Sequence, residues 1–306
     1  MSARLRTAPA LFAVALAVAG CASDRRPPPR APSLPSPNDA VPLDLDLVIR
    51  VDLARVRAGL GPEAVGGLRR NALGASGADA SDPWIAEAVE KSDTAILALR
   101  PEFGAEGPDN VLVLSGRFSD VLPLTHPPPG WLAPVDLGGN VRRFDRKRAG
   151  LRSTPVRFYA FGTEQLVFVS VAELDSVEAV LERGRSPTRL RPKASGLLSF
   201  QARLRDARRL LAGRFPILGK LLGGSKSVAG TLDVTGDSLV TDLGLELGDD
   251  TEASEVAAAL DGLKKELAEA DGRIGLVARN TKIEPAGRFV GVRMTLGRDA
   301  LSGLWR

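Results

Sequence analysis

One cysteine, one histidine and one tyrosine are all that this chain of 306 residues carries of those three types. The single thiol, Cys21, excludes any disulfide within the chain, so stability must come from burial. A hydrophobic content of 44% over this length is ample for that. The single histidine, His126, excludes motifs that need two, the paired zinc-ligand helix among them. It sits in the proline-rich PLTHPPPGW, a loop, with no catalytic partner beside it in sequence. The chain has neither G-x-S-x-G nor S-x-x-K, which removes two common serine-nucleophile signatures. Three tryptophans and ten phenylalanines give no obvious stacking platform for single-stranded nucleic acid. No apolar run reaches the ~20 residues that a membrane-crossing helix needs.

The apolar run nearest to that length, residues 8–20, follows Arg4 and Arg6 and ends in small residues. This is the layout of a signal peptide. Without those two arginines the net charge falls from +4 to +2, too small a surplus to argue for nucleic acid as a partner. The end of the run, Val18-Ala19-Gly20-Cys21, resembles the lipobox of bacterial lipoproteins. That resemblance covers the first 21 residues only. It implies diacylation of the Cys21 sulfur, cleavage just before Cys21, and acylation of the freed amine. Two or three acyl chains make a stable anchor where one binds only reversibly. Ala22, in place of the aspartate that often retains such proteins at the inner membrane, implies an outer-membrane lipoprotein facing the periplasm in a Gram-negative host.

Residues 22–42 read ASDRRPPPRAPSLPSPNDAVP. Proline at this density forms neither helix nor sheet, so the segment is expected to be an extended tether, at ~3.1 Å per residue. Regular alternation starts at Leu43: Leu45, Leu47, Ile49 and Val51 should face a core, with Asp46, Val48 and Arg50 outward. Asp52 is placed to cap the helix that follows. A short helix over 84–89, strands in TAILALR and NVLVLSGRF, a hairpin turning at 162–165 and a helix over 172–183 complete the first half. The second half has an alternating LLSFQARL, a hairpin around Gly236-Asp237, a helix with Val256, Leu260, Leu263 and Leu267 on one face, and a hairpin near 285–287. RDARRLLAGRFP matches VDLARVRAGLGP at five of twelve positions, and Asp206 there matches Asp52.

These patterns predict an α+β fold, with largely antiparallel sheets and helices packed on one face, in two tandem copies of a β-α-β-β-β-β-α unit. The expected domains are a signal peptide at 1–20, the lipidated Cys21 and tether at 21–42, and repeats at 43–190 and 191–306.

Candidate chemistry is sparse. GKLLGGSKS at 219–227 misses a phosphate-binding loop, because Ser225 stands where the lysine belongs and Lys226 comes one place late. Carboxylates group as Asp44, Asp46 and Asp52, as Asp233, Asp237 and Asp242, and as Asp249, Asp250, Glu252 and Glu255, each with a local structural reason. RRFDRKRAGLR is the strongest charge run. Its Arg142, Arg143, Arg146, Lys147 and Arg148 are candidates for contact with an anionic surface, against the plainer reading of a solvated loop. Cofactor and metal motifs are absent. The expectation is a monomeric, non-enzymatic, lipid-anchored envelope protein, bound to the membrane through Cys21, that binds a partner protein or an apolar ligand. An envelope hydrolase built from carboxylates is the alternative.

Overall fold

A computed structural model describes residues 37–43, 45–61, 64–66, 83–100, 109–120, 127–148, 154–183, 190–204 and 222–297. Cys21, His126 and Asp206 lie outside the described residues. Pro32–Arg306 forms one compact unit.

Its frame is a twelve-stranded antiparallel sheet. In chain order the strands are β1 (Leu47–Asp52), β2 (Ser92–Arg100), β3 (Asp109–Gly116), β4 (Val135–Gly138), β5 (Val141–Asp145), β6 (Pro155–Phe161), β7 (Gln165–Ser170), β8 (Leu198–Arg203), β9 (Ser227–Thr235), β10 (Ser238–Glu246), β11 (Thr281–Ala286) and β12 (Phe289–Gly297). Across the sheet they run β11-β12-β10-β9-β8-β1-β2-β3-β7-β6-β5-β4. The helices are α1 (Leu53–Leu60), α2 (Pro83–Lys91), α3 (Leu174–Arg183), α4 (Asp250–Ala268) and α5 (Arg273–Arg279). The fold is therefore α+β with an antiparallel sheet. Among the described residues no helix is long and apolar enough to cross a membrane.

Strands β1 and β8 lie side by side at the centre, with Ile49 opposite Phe200. Outward from that seam the order is β1-β2-β3-β7-β6 on one side and β8-β9-β10-β12-β11 on the other, the same sequence of moves. Helix placement differs between the halves. Between β3 and β6 the chain inserts the β4–β5 hairpin, whereas between β10 and β11 it inserts α4 and α5. The halves expected at 43–190 and 191–306 share one continuous sheet, because β1 and β8 pair directly.

Directly opposed residues in antiparallel strands point to the same face. One apolar row thus crosses eleven strands: Phe144, Phe158, Phe168, Leu112, Leu97, Ile49, Phe200, Gly230, Leu243, Val292 and Ile283. Gly230 belongs there because Phe200 and Leu243 close over it; a Cβ would lie 2.6 Å from the Phe200 ring and 2.5 Å from Leu243. Helices α1 and α2 cover the first half of this face through Leu53, Val56, Trp84, Ile85 and Val89. On the same face of the second half, α4 packs Ala253, Val256 and Ala257 on Leu245, Leu247 and Val290. Asp52 caps α1 by accepting from the Arg55 amide at 3.0 Å, and Asp249 caps α4 by accepting from the Glu252 amide at 2.8 Å.

The other face of the first half is covered too. Val48, Ile96, Val113, Tyr159 and Val167 pack there against Val177 and Leu181 of α3 and against Ala40 and Val41. This corrects two expectations. Val48, read as outward, is fully buried, and Leu45 joins it in this second cluster, while Leu47 and Ile49 are only half-buried. The tether does not reach residue 42 either. Pro37–Ala40 forms a 3-10 turn, Ala40 and Val41 are core residues, and Asp39 pairs with Arg191 at 3.2 Å. Two small apolar residues are enough to seat this segment between β3 and α3. On the second half this face is polar, with Lys282, Arg293, Asp242, Thr231 and Ser199 opposite one another in turn, and Ser199 faces Arg50 across the seam.

Candidate functional site

The basic run contains a strand. Arg142 and Arg143 sit in β5, so the pleat sends them to opposite faces of the sheet. Arg143 pairs with Asp145 at 3.2 Å. Arg146 lies over the Trp131 ring, 5.5 Å from its centroid, and donates to the Pro155 carbonyl at 3.1 Å. Only Lys147 and Arg148 are exposed. The reading as a solvated loop is corrected for Arg142 and Arg143, which are strand residues on opposite faces, whereas Lys147 and Arg148 lie exposed beyond the strand.

The carboxylates are spread across structural roles. Asp52 and Asp249 cap helices, Asp233 pairs with Arg55 at 2.9 Å and Asp242 with Arg293 at 3.4 Å. Among the described residues no three His, Cys, Asp or Glu side chains gather where a metal ion would sit. Gly224, in the phosphate-loop near miss, lies against the Glu252 carboxylate, which leaves no room even for a Cβ. An acid at that spot repels phosphate.

A polar network that the sequence did not announce joins β5, β6 and α3. Arg157 donates to Asp145 at 2.5 Å and to Glu178, and the Tyr159 hydroxyl donates to Glu178 at 3.3 Å. Tyr159 is 1% exposed. Burial pushes its hydroxyl up to about 12 against the opposing pull of Arg157, and the Glu178 charge adds to the rise. The native state therefore keeps a proton that the unfolded chain releases near ~10. This contribution to stability is full below about pH 10 and is lost as the pH climbs toward 12. Because Tyr159 is the chain's one tyrosine, tyrosinate absorbance reads it alone. Half-ionisation is expected near 12 in the native protein and near ~10 in denaturant. A native midpoint equal to the denatured one would show that the hydroxyl reaches water.

The feature shaped to receive something lies at the other end of the sheet. The apolar stripe of α4 begins on the core with Ala253, Val256 and Ala257, keeps Leu260 packed against that cluster, and continues as Leu263 and Leu267. The chain turns at Gly272, whose φ of 77° suits a residue without a side chain, and returns as α5. Helix α5 is held close: Gly275 leaves no space for a Cβ against the Ala270 carbonyl, and Arg279 donates to the Ala268 carbonyl at 2.7 Å. Thr281 donates to the Val277 carbonyl at 2.7 Å where α5 passes into β11.

Between these elements lies a cavity of about 410 Å³, open to solvent. Its walls are Leu260, Leu263 and Leu267 of α4, Ile274, Val277 and Ala278 of α5, Thr281 and Ile283 of β11, and Val292 of β12. Ile274 is 60% exposed and Leu267 38% at its mouth. Among the described residues Lys264 is the one charged side chain lining it. The α4 stripe was legible in sequence. Helix α5 and the gap behind it were not, since RIGLVAR is short and interrupted by Gly275.

No family model matches the chain, and no curated protein matches it either. Solved structures do show similarity in chain trace. Crystal form I of TP0453 superposes with a TM-score of 0.49 at 12% identity, covering 88% of this chain and 96% of that one. Crystal form III of TP0453 gives 0.47 at 14% identity, covering 87% and 96%. Likeness at this level assigns no ligand and no activity.

Proposed function

We propose that this is a lipid-anchored cell-envelope protein, tethered at the outer membrane through Cys21, that holds an apolar ligand in the groove between α4, α5 and the β11–β12 edge. The groove carries the ligand part of this reading. Its volume of about 410 Å³ lies in the range of small-molecule sites, and its walls are almost wholly apolar. Exposed apolar side chains scattered singly are ordinary; a lined concavity with Leu267 and Ile274 at its mouth is not. Burying a ligand there removes apolar surface of both partners from water, at about 25 cal/mol per Å². The anchor part rests on the lipobox resemblance. The hydrolase alternative has less behind it, since the carboxylates Asp145 and Glu178 that meet do so on Arg157, as an ion-pair network.

Leu263 offers the test. Placed on the groove wall and half-buried, it tolerates a change better than a core residue. On the chain 22–306, which contains the whole compact unit, the neutral dye phenylnaphthylamine should bind saturably. Leu263→Asp should weaken that binding at least ~10-fold by placing a charge in the groove. Leu132→Asp, at a residue 48% exposed elsewhere on the molecule, should leave it unchanged. Equal binding by wild type and Leu263→Asp would sink the reading.

A further inference from the structure

The groove's one charge points to the chemistry of its occupant. Lys264 lines the groove beside Leu263 and four residues after Leu260, and its ammonium lies 3.5 Å from Asp261. Asp261 pairs with it, but shares its single charge between two lysines. Lys265 reaches Asp261 at 2.9 Å, whereas Lys264 stands at 3.5 Å. The hydrogen bond from Lys265 is the main cause holding Asp261 below the usual carboxylate range, with Lys264 contributing less. The three side chains together leave one positive charge at the groove's edge. The Lys264 side chain is 27% exposed, sheltered enough for an ion pair to count for more than it does in open water.

We propose that the ligand is a single-chain amphiphile with an anionic head, its chain lying among Leu263, Leu267, Val277 and Ile283 and its head on the Lys264 ammonium. The proposal rests on the groove being a binding site and names what it takes. At about the ~30 Å³ that a water occupies in the liquid, the cavity's 410 Å³ has room for on the order of a dozen chain atoms. A carboxylate and a phosphate head share the required chemistry.

Displacement of phenylnaphthylamine from the chain 22–306 by monomeric dodecanoate, dodecyl phosphate and dodecanol tests it. One or both anions should compete at least ~10-fold better than the alcohol, and which does so identifies the head. Lys264→Met should bring the anions down to the level of dodecanol measured on the same variant, and Lys264→Arg should keep their advantage, since the charge stays. Dodecanol competing as well as both anions, or Lys264→Met leaving anion binding intact, overturns the anionic head and leaves the groove standing. If the dye and all three amphiphiles fail to bind, the groove reading falls with it.

Discussion

Replacing Phe158 by alanine is expected to destabilise the protein by about 3–5 kcal/mol, the range for truncating a buried aromatic. Phe158 is wholly buried on the first face of the sheet. It stacks on Phe144 with centroids 4.2 Å apart and planes within 6°. Trp131 meets it edge-on at 4.7 Å, Trp84 lies at 4.7 Å and Phe168 at 5.3 Å. The ring thus joins β5, β6 and β7 to α2 and to the segment entering β4. Removing it leaves a cavity bounded by four large rings that have no way to close it without leaving their own contacts. Urea denaturation followed by tryptophan emission measures the effect, because Trp84 and Trp131 are both its neighbours. Phe289→Ala, at a residue 44% exposed, is the control and should cost well under about 1 kcal/mol. If the two variants unfold at the same urea concentration, the aromatic cluster is not the centre of the core.

That cluster shows what the sequence withheld. The alternation of apolar residues in β6 and β7 and the turn at Gly162 are local signals, and they place both strands. The β4–β5 hairpin was invisible because VRRFD looks like part of a charge run. Its residues become a strand only once β6 pairs with them across the sheet, Arg157 there taking Asp145, a tertiary fact. The same holds for Val48. A period of two marks one face as buried, and nothing in it reveals that α3 and the 3-10 turn at Pro37–Ala40 cover the opposite face as well.

The Asp52 cap was the most legible feature. It acts through the amide three residues on, so a five-residue window contains the whole interaction. The groove stands at the other extreme. The stripe Leu260, Leu263, Leu267 reads equally well as a stripe bound for the core. Whether it meets a strand or a void depends on where α5 docks, and that is set by the Gly275–Ala270 approach and the Arg279–Ala268 bond. The matching strand order of the two halves about the β1–β8 seam was likewise hidden in sequence, where the match is weak and falls partly outside the described residues.

Cys21→Ser is expected to abolish lipid attachment outright. The chain holds no second thiol, so no other side chain can take the thioether-linked diacyl group and the loss should be complete rather than partial. A serine hydroxyl at ordinary pH is a far weaker nucleophile than a thiol toward a lipid donor. Without the diacyl group, cleavage between Gly20 and Cys21 should fail as well, and the precursor should keep its signal. Each buried methylene contributes about 0.8 kcal/mol, so an anchor of two or three chains would be effectively permanent on the timescale of the assay. Labelling cells with a radioactive fatty acid and precipitating the protein reads the result directly: label in the wild type, background in the variant, and a mass larger by the uncleaved signal. Cys21→Ala, which removes the hydroxyl too, should behave identically. Equal label in wild type and both variants would end the lipoprotein reading. The groove and Lys264 would then keep their own tests, since none of the residues that form them depends on how the chain is anchored.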